Sequence, residues 1–433
     1  MKNRPTLLIV SHHFAPSPLV GAKRFSFLTR EFSRQGFDVH VIANELRESP
    51  HGREDRSLPL HGTVHRVANP LELPFKSQPK GRVRGWRRLA NALFSRLLAP
   101  VGFDYFWARA ATRKALEVVG NLPADARHGV VIATSPPHAA LIAGARIARR
   151  LRWPLVLDYR DPWTAYDWPQ WHRGDLAQKL GRRIEARLVR RSAARVLNTP
   201  NMRQWFERSF AAAATARNFV IPNGFDAVAR QAEPSPDGTL QIVHAGEIYG
   251  SRSLVPLLRA IQNLGRRHPS RRILLTNYGP LPAREKRRIQ DAHLEEFIQE
   301  RARVPFATLF AELQRAHVLL AVVSEHMTYS TPYKVYDYMA AGRPILALAP
   351  PEAALHDLLA ESGAGESVEA RDIAGIERVL EKMLFDPSPA NAARIDRYRW
   401  VNLAQQYRAV IDTVAMTPEK SRHHAAAEAP ADA

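Results

Sequence analysis

Short apolar runs and amphipathic stretches alternate along most of the chain. Thr6 to Ser11 is nearly continuous in apolar residues, the pattern of a strand covered on both faces. From about Gly21 to Gln35 the apolar positions recur at helical spacing, Gly36 stops the helix, and Asp38 to Ala43 reads as the next strand. Val130 to Thr134, Leu155 to Tyr159 and Ser192 to Thr199 read as further buried strands. This order predicts an α/β fold with a doubly wound, parallel sheet. Val220-Ile221-Pro222-Asn223-Gly224-Phe225-Asp226 interrupts the series with a Pro/Gly turn, and a polar stretch follows to Gly238. It predicts a boundary between a first domain, 1–222, and a second, 223–389. The second series runs through a strand at 240–245, a helix from about Ser253, a strand at 272–276, a helix near 282–291 and a strand at 318–323. Residues 390–416 read as a terminal helix or helices, and 417–433, rich in Ala, Pro and charge, as a disordered tail. No repeat of solenoid period is present.

A length of 433 residues suits two or three domains, and a hydrophobic fraction of 45% is that of a packed globular protein. The absence of cysteine excludes disulfides, thiolate metal sites and cysteine nucleophiles. Leu7-Leu8-Ile9-Val10 is too short for a secretory core, and no stretch approaches the roughly 18 apolar residues of a spanning helix. The expectation is a soluble or peripheral protein. The formal charge of +20 calls for an anionic partner: nucleic acid, a membrane surface or an anionic small substrate. No zinc finger, RNP motif or recognition-helix pair accompanies it, so the expectation is no nucleic acid, with membrane and substrate accounting for the charge.

The richest stretch in chemistry is Ser330-Thr331-Pro332-Tyr333-Lys334-Val335-Tyr336-Asp337-Tyr338-Met339-Ala340-Ala341-Gly342-Arg343-Pro344. It reads as a short helix capped by Thr331, with Pro332 at its first position, Gly342 as its left-handed end and Pro344 as its stop. Lys334 in the first turn, beside free backbone N–H groups, suits a phosphate, and Asp337 one turn on suits ribose hydroxyls. An ordinary surface helix with ordinary caps is the competing reading. Three loops follow strand ends in the first half, where open α/β sheets place ligands. Gly21 opens a helix after Pro16-Ser17-Pro18, and the neighbouring Lys23 and Arg24 either contact a charged ligand or are solvated. Thr134-Ser135-Pro136-Pro137-His138 stiffens the approach to His138, which is either catalytic or structural. Asp158-Tyr159-Arg160-Asp161-Pro162-Trp163 brings Arg160 and Asp161, which by residue type can form a structural ion pair.

These motifs resemble family-4 glycosyltransferases, retaining enzymes of the GT-B fold, and the resemblance runs over roughly residues 6 to 385. The capped helix resembles that family's donor helix. Asp337 stands at its ribose-binding Glu, and Tyr329 stands where the family has a first Glu, a departure. The resemblance implies two Rossmann-like domains facing a central cleft, with a terminal helix crossing back to the first. It implies that Gly21, Gly246, Arg252, Val304, Lys334 and Asp337 hold the donor. Gly246 and Arg252 would belong to a diphosphate loop in which Glu247 replaces a common arginine, and Val304 would lie beside the base. His138, Arg160 and Asp161 would line the catalytic side. Polysaccharide-type members share the Arg-Asp-Pro-Trp form, which implies a bacterial capsule, exopolysaccharide or lipopolysaccharide enzyme. The expected donor is a UDP- or GDP-sugar and the expected acceptor a lipid-linked saccharide. No resident cofactor is expected. The sequence has no Asp-x-Asp triplet, so no metal is expected, and Arg252, Lys334 and a helix N-terminus would neutralise the departing diphosphate. Arg82 to Leu98 sets Val83, Trp86, Leu93, Phe94 and Leu97 at helical spacing among arginines. That segment either lies on an anionic inner-membrane surface or packs on its domain. A nucleotide-sugar epimerase on the same fold, and a non-catalytic basic scaffold, are the alternative functions.

Overall fold

The structure is a computed structural model and describes residues 5–46, 54–70, 101, 104–165, 175–210, 217–228, 238–248, 252–325, 327–386 and 392–416. The basic segment 82–98 and the tail 417–433 lie outside the described residues. The chain divides into two compact units, Met1–Pro222 with Leu403–Ala433, and Asn223–Asn402.

The first unit is built on a seven-stranded sheet of order β3-β2-β1-β4-β5-β6-β7. Its strands are β1 (Thr6–Val10), β2 (Asp38–Asn44), β3 (Thr63–Val67), β4 (Gly129–Ser135), β5 (Leu155–Tyr159), β6 (Ala194–Leu197) and β7 (Asn218–Val220). All neighbours run parallel; Leu8 of β1, for example, lies opposite His40 of β2 and Val131 of β4. Helices α1 (Val20–Arg34), α2 (Asp104–Gly120), α3 (Ala139–Leu151), α4 (Asp175–Arg191) and α5 (Pro200–Ser209) connect them. Because helices cover both faces, β1 shows no period-2 alternation, and Leu7, Leu8, Ile9 and Val10 are fully buried.

The second unit repeats the plan with a six-stranded parallel sheet of order β10-β9-β8-β11-β12-β13. Its elements in chain order are β8 (Leu240–Ala245), α6 (Val255–Arg267), β9 (Ile273–Tyr278), α7 (Ala283–Asp291), β10 (Ile298–Arg301), α8 (Phe306–Arg315), β11 (Val318–Val322), α9 (Lys334–Ala341), β12 (Ile345–Leu348), α10 (Ala354–Ser362), β13 (Gly365–Val368), α11 (Ile373–Phe385) and α12 (Ala392–Asp396). The last helix, α13 (Trp400–Met416), returns the chain at Leu403 to the first unit. There the Tyr407 ring meets Phe25 and Phe32 edge-on, at 6.1 and 5.5 Å between centroids.

One expectation of local structure is corrected. The helix at 330–344 starts at Lys334, not at Pro332, and Thr331 does not cap it. The carbonyl of Pro332 accepts the Val335 N–H at 3.1 Å and that of Tyr333 accepts Tyr336 N–H at 3.0 Å. The first turn is thus closed by backbone, and the Thr331 hydroxyl is buried without a hydrogen bond among the described residues. The other end is as the sequence predicts: Gly342 sits at φ 72° and its N–H reaches the Met339 carbonyl at 3.1 Å.

Candidate functional site

Each sheet reverses its winding once, between β1 and β4 in the first unit and between β8 and β11 in the second. In open α/β sheets that reversal leaves a crevice at the carboxyl ends of the strands, where ligands bind. The residues singled out in the sequence cluster there.

In the second unit, β8 ends at Ala245 and the chain turns through Gly246 at φ 126°, a conformation that an L side chain rarely adopts. A β-carbon at Gly246 would lie 3.0 Å from the Lys334 ammonium, so the missing side chain lets Lys334 reach across the strand end. Its Nζ donates to His244 Nε2 at 3.0 Å. On the other side of that ring, His244 Nδ1 lies 2.6 Å from Asn277 Oδ1, and Asn277 Nδ2 donates to the Gly279 carbonyl at 2.7 Å. This chain assigns the proton of neutral His244 to Nδ1 and turns the Nε2 lone pair toward Lys334. Burial first, then Lys334, holds the His244 pKa well below its ordinary value.

Lys334 is itself perturbed. Burial and, second, the guanidinium of Arg252 lower its pKa from 10.5 to about 7. Arg252 is 7% exposed and its Nη2 lies 3.6 Å from the Met327 sulfur. Gly246, Arg252 and Lys334 therefore converge at one strand end. Asp337 stands in the first turn of α9, one turn from Lys334. Val304, just past β10, packs on the cluster containing Val335 and Tyr336. A cavity of about 400 Å³ adjoins Arg252 and is lined also by Glu247, Pro280, Pro282, Arg284 and Arg288. Glu247 is paired with Arg303.

In the first unit, Gly21 lies in the first turn of α1. A β-carbon there would come within 2.7 Å of Arg160 Nη1 and 3.1 Å of the His13 ring, so glycine permits both to approach the helix start. Arg160 donates from Nε to the Ser135 carbonyl at 3.2 Å and also to the Pro136 carbonyl, which ties the β5 loop to the β4 loop. Burial lowers the Arg160 pKa, while Asp161 and Asp158 act in the opposite direction. His138 follows β4, 9% exposed, and stacks face to face on Trp163 at 4.9 Å and 8°. Burial and, second, Arg160 push its pKa down to about 3, so at neutral pH it is an uncharged imidazole. Gly21, His138 and Arg160 thus lie at one crevice, with Asp161 beside Arg160.

The sequence reading of Arg24 is overturned. Its side chain neither meets solvent nor faces a ligand: it is 1% exposed and paired with fully buried Asp158 at 2.8 Å. The Asp158 carboxylate also accepts Thr134 Oγ1 at 2.8 Å and Tyr407 Oη at 3.3 Å, and Arg24 donates to the Ile221 and Pro222 carbonyls at 2.9 and 2.7 Å. A buried charge demands such complete pairing. The structural ion pair of this region is therefore Arg24–Asp158, which leaves Arg160 at the crevice.

Three features escaped the sequence reading. His12 and His13 lie just past β1 at the crevice, with His12 Nε2 3.9 Å from Asp104 Oδ1 and its ring against Trp107; a His-His pair just after a buried strand was the available signal. His244 and Asn277 sit inside buried strands, and nothing in their spacing marked them. Glu185 of α4 is fully buried and accepts the Thr164 hydroxyl at 2.6 Å, and burial raises its pKa to about 7. It holds the loop beside Trp163 from behind. Among the described residues no cluster of three or more His, Asp or Glu is placed to hold a metal ion, and no helix is long and apolar enough to cross a membrane.

Two doubly wound parallel units of this strand order are the architecture of the GT-B class. Residues 21–224 match the family model of a glycosyl transferase 4-like domain. Solved structures match over nearly the whole chain. An α,α-trehalose-6-phosphate synthase from Burkholderia multivorans is 15% identical with a TM-score of 0.60, covering 95% of this chain and 97% of that one. A trehalose-6-phosphate protein from E. coli bound with UDP-2-fluoro glucose is 11% identical with a TM-score of 0.58, covering 95% and 99%. The lipopolysaccharide outer core galactosyltransferase WaaB, in its apo form, is 11% identical with a TM-score of 0.56, covering 94% and 99%. No curated protein sequence matches the chain. Domain match and fold together support a glycosyltransferase.

Proposed function

We propose that the protein transfers a sugar from a nucleoside-diphosphate sugar, UDP- or GDP-linked, to a saccharide acceptor carried on a lipid, in the synthesis of a bacterial surface polysaccharide. The second unit holds the donor, and the first unit supplies the acceptor side. The observation that carries this reading is the meeting of Lys334 and Arg252 at Gly246. Two cations at a strand end, one of them buried until its pKa falls to about 7, form a site that a diphosphate would complete. As the bond from the anomeric carbon to the diphosphate oxygen breaks and the acceptor oxygen takes its place, negative charge grows on the leaving group. Lys334 and Arg252 stabilise that charge without a metal; removing one such group is worth about 2–4 kcal/mol of transition-state stabilisation. The acceptor hydroxyl's proton leaves with the diphosphate. Asp337 holds the ribose hydroxyls. His138, neutral and stacked on Trp163, orients the sugar rather than removing a proton, since an imidazole of pKa about 3 is a weak base.

The bound UDP-sugar analogue of the E. coli relative, and the lipopolysaccharide role of WaaB, support the donor and acceptor classes by analogy of fold. The amphipathic segment 82–98 supports work at an anionic inner-membrane surface. A thermal-shift panel of nucleotide sugars tests the reading. The true donor at 100 times its Kd stabilises the protein by about 2.7 kcal/mol, and the Asp337→Ala variant loses most of that gain. If no nucleotide sugar raises the melting temperature, the donor assignment is wrong.

A further inference from the structure

The surface of the first unit carries a band of basic residues that neither crevice uses. On α4, Lys179, Arg182, Arg183, Arg187, Arg190 and Arg191 are all exposed. They recur at three- and four-residue steps, so they form one stripe, about 18 Å long at 1.5 Å per residue. The opposite side of the helix, with Leu188 and Val189, enters the core. Helix α3 packs alongside and adds exposed Arg149 and Arg150. The guanidiniums crowd one another: the pKa of Arg191 is lowered by burial and then by Arg187, Arg149 and Arg190.

Among the described residues no exposed carboxylate pairs with this charge. Helix α3 contains no acidic residue, and between 178 and 191 the one carboxylate, Glu185, points inward and is fully buried. None of these eight cations makes an ion pair among the described residues. The second unit also exposes cations without an ion pair among the described residues, Arg266, Arg271, Arg272, Arg284 and Arg287, but it pairs many others. There Arg267 pairs with Glu377 at 3.0 Å, Lys286 with Glu300 at 2.7 Å, Arg371 with Glu325 at 3.0 Å, Lys382 with Glu366 at 2.6 Å and Arg397 with Glu361 at 2.6 Å. Compositional bias toward arginine loads both surfaces, but on α3 and α4 eight exposed cations lie together without an ion pair among the described residues. Like charges so crowded repel, and their field is left open to a partner.

From this concentration of unpaired charge on one face we infer that the exposed face of α3 and α4 is a docking surface for an anionic lipid bilayer. The inference rests on the membrane-side part of the proposed function and gives it a location outside segment 82–98. The face belongs to two adjacent helices. Arginines present their forks to phosphate, and Leu180, 42% exposed within the stripe, is placed to enter the headgroup layer. Neither helix carries an aromatic residue, so the stacking that favours single-stranded nucleic acid is missing.

The test uses the full chain and sedimentation with vesicles of phosphatidylcholine, alone or with phosphatidylglycerol. One variant combines Lys179→Gln, Arg183→Gln, Arg187→Gln and Arg190→Gln. A control of equal charge loss combines Arg267→Gln, Arg371→Gln, Lys382→Gln and Arg397→Gln in the second unit. The parent is expected to bind only vesicles containing phosphatidylglycerol, and to be released as salt screens the attraction. Each cation near such a surface is worth about fivefold in partitioning, so the α4 variant falls by several hundredfold while the control stays within about tenfold of the parent. Nucleotide-sugar binding, measured on the same samples, is unchanged in both. Equal losses in the two variants would overturn the inference, because net charge alone would then explain binding. So would an α4 variant that still sediments like the parent. A parent that ignores all vesicles but binds duplex RNA through the same four residues would overturn both the lipid surface and the membrane part of the proposed function, and leave the donor reading to its own thermal-shift test.

Discussion

Lys334 should make donor binding depend on pH in a direction fixed by its surroundings. In the free protein burial and Arg252 lower its pKa from 10.5 to about 7. That difference corresponds to about 5 kcal/mol against the charged form in the folded state. The unfolded chain therefore binds a proton that the folded chain does not between about pH 7 and 10.5, so this residue makes stability rise with pH across that window. Below pH 7 both states carry the proton, and the full penalty of the buried ammonium remains.

A bound diphosphate reverses the balance, because its charges favour the ammonium and raise the Lys334 pKa. A nucleotide sugar is the right probe, since its phosphates are diesters and keep their charge over this range. At pH 8 only about a tenth of the free protein carries the charged lysine, so binding must take up a proton, and Kd should weaken about tenfold for each pH unit above 7. Titration calorimetry at pH 6 to 9, in two buffers of different ionisation enthalpy, reads both the affinity and the proton uptake. Lys334→Met should give a flat profile, with affinity near the weak, high-pH limit of the parent, and an unliganded stability that no longer climbs between pH 7 and 10. A parent whose Kd is flat from pH 6 to 9, with no proton uptake, would refute the claim that Lys334 is the buried cation facing the diphosphate.

Gly246→Ala should lose donor binding while the protein stays folded: φ 126° strains any side chain by about 1–3 kcal/mol, and the new β-carbon would press on Lys334 Nζ, which calorimetry with the nucleotide sugar will detect. Arg24→Met should lower the unfolding free energy by about 3–5 kcal/mol in urea titrations, because it strands the buried Asp158 carboxylate; a loss below about 1 kcal/mol would contradict the pairing. Donor cleavage should persist in excess EDTA, since Lys334 and Arg252 supply the positive charge; activity lost on chelation and restored by magnesium or manganese would reveal a metal requirement.

The fold class was legible because a parallel sheet covered on both faces writes itself as short apolar runs, and Leu155–Tyr159 and Leu240–Ala245 show this at the residue level. Helix ends were less legible. Thr331 and Pro332 have the right chemistry for a cap, yet the Pro332 carbonyl closes the turn through backbone, an outcome that depends on φ and ψ rather than residue type. At the sites, the sequence could flag residues on loops after strands, such as Gly246, His138 and Arg160, because that is where open sheets expose side chains. It could not flag His244 and Asn277. They are interior positions of two buried strands, 33 residues apart, made partners by the parallel pairing of β8 with β9.

Arginine shows most clearly where sequence reading stops and packing decides. Arg24 and Arg160 both lie close after a strand end, and by residue type either could face a ligand. Helix α1 turns Arg24 inward, on the same side as Phe25 and Leu28, where only a carboxylate makes its burial tolerable; Asp158 at the end of β5 supplies it. Arg160 lies just past the end of β5, where Gly21 leaves room for it at the start of α1. The end of the strand thus divides the roles: Asp158, still within β5, locks the unit, and Arg160, just beyond it, is left at the crevice. The same logic separates Glu185 from the arginines around it on α4. One face of that helix holds the Thr164 loop from within, and the other presents uncompensated charge to whatever lies outside.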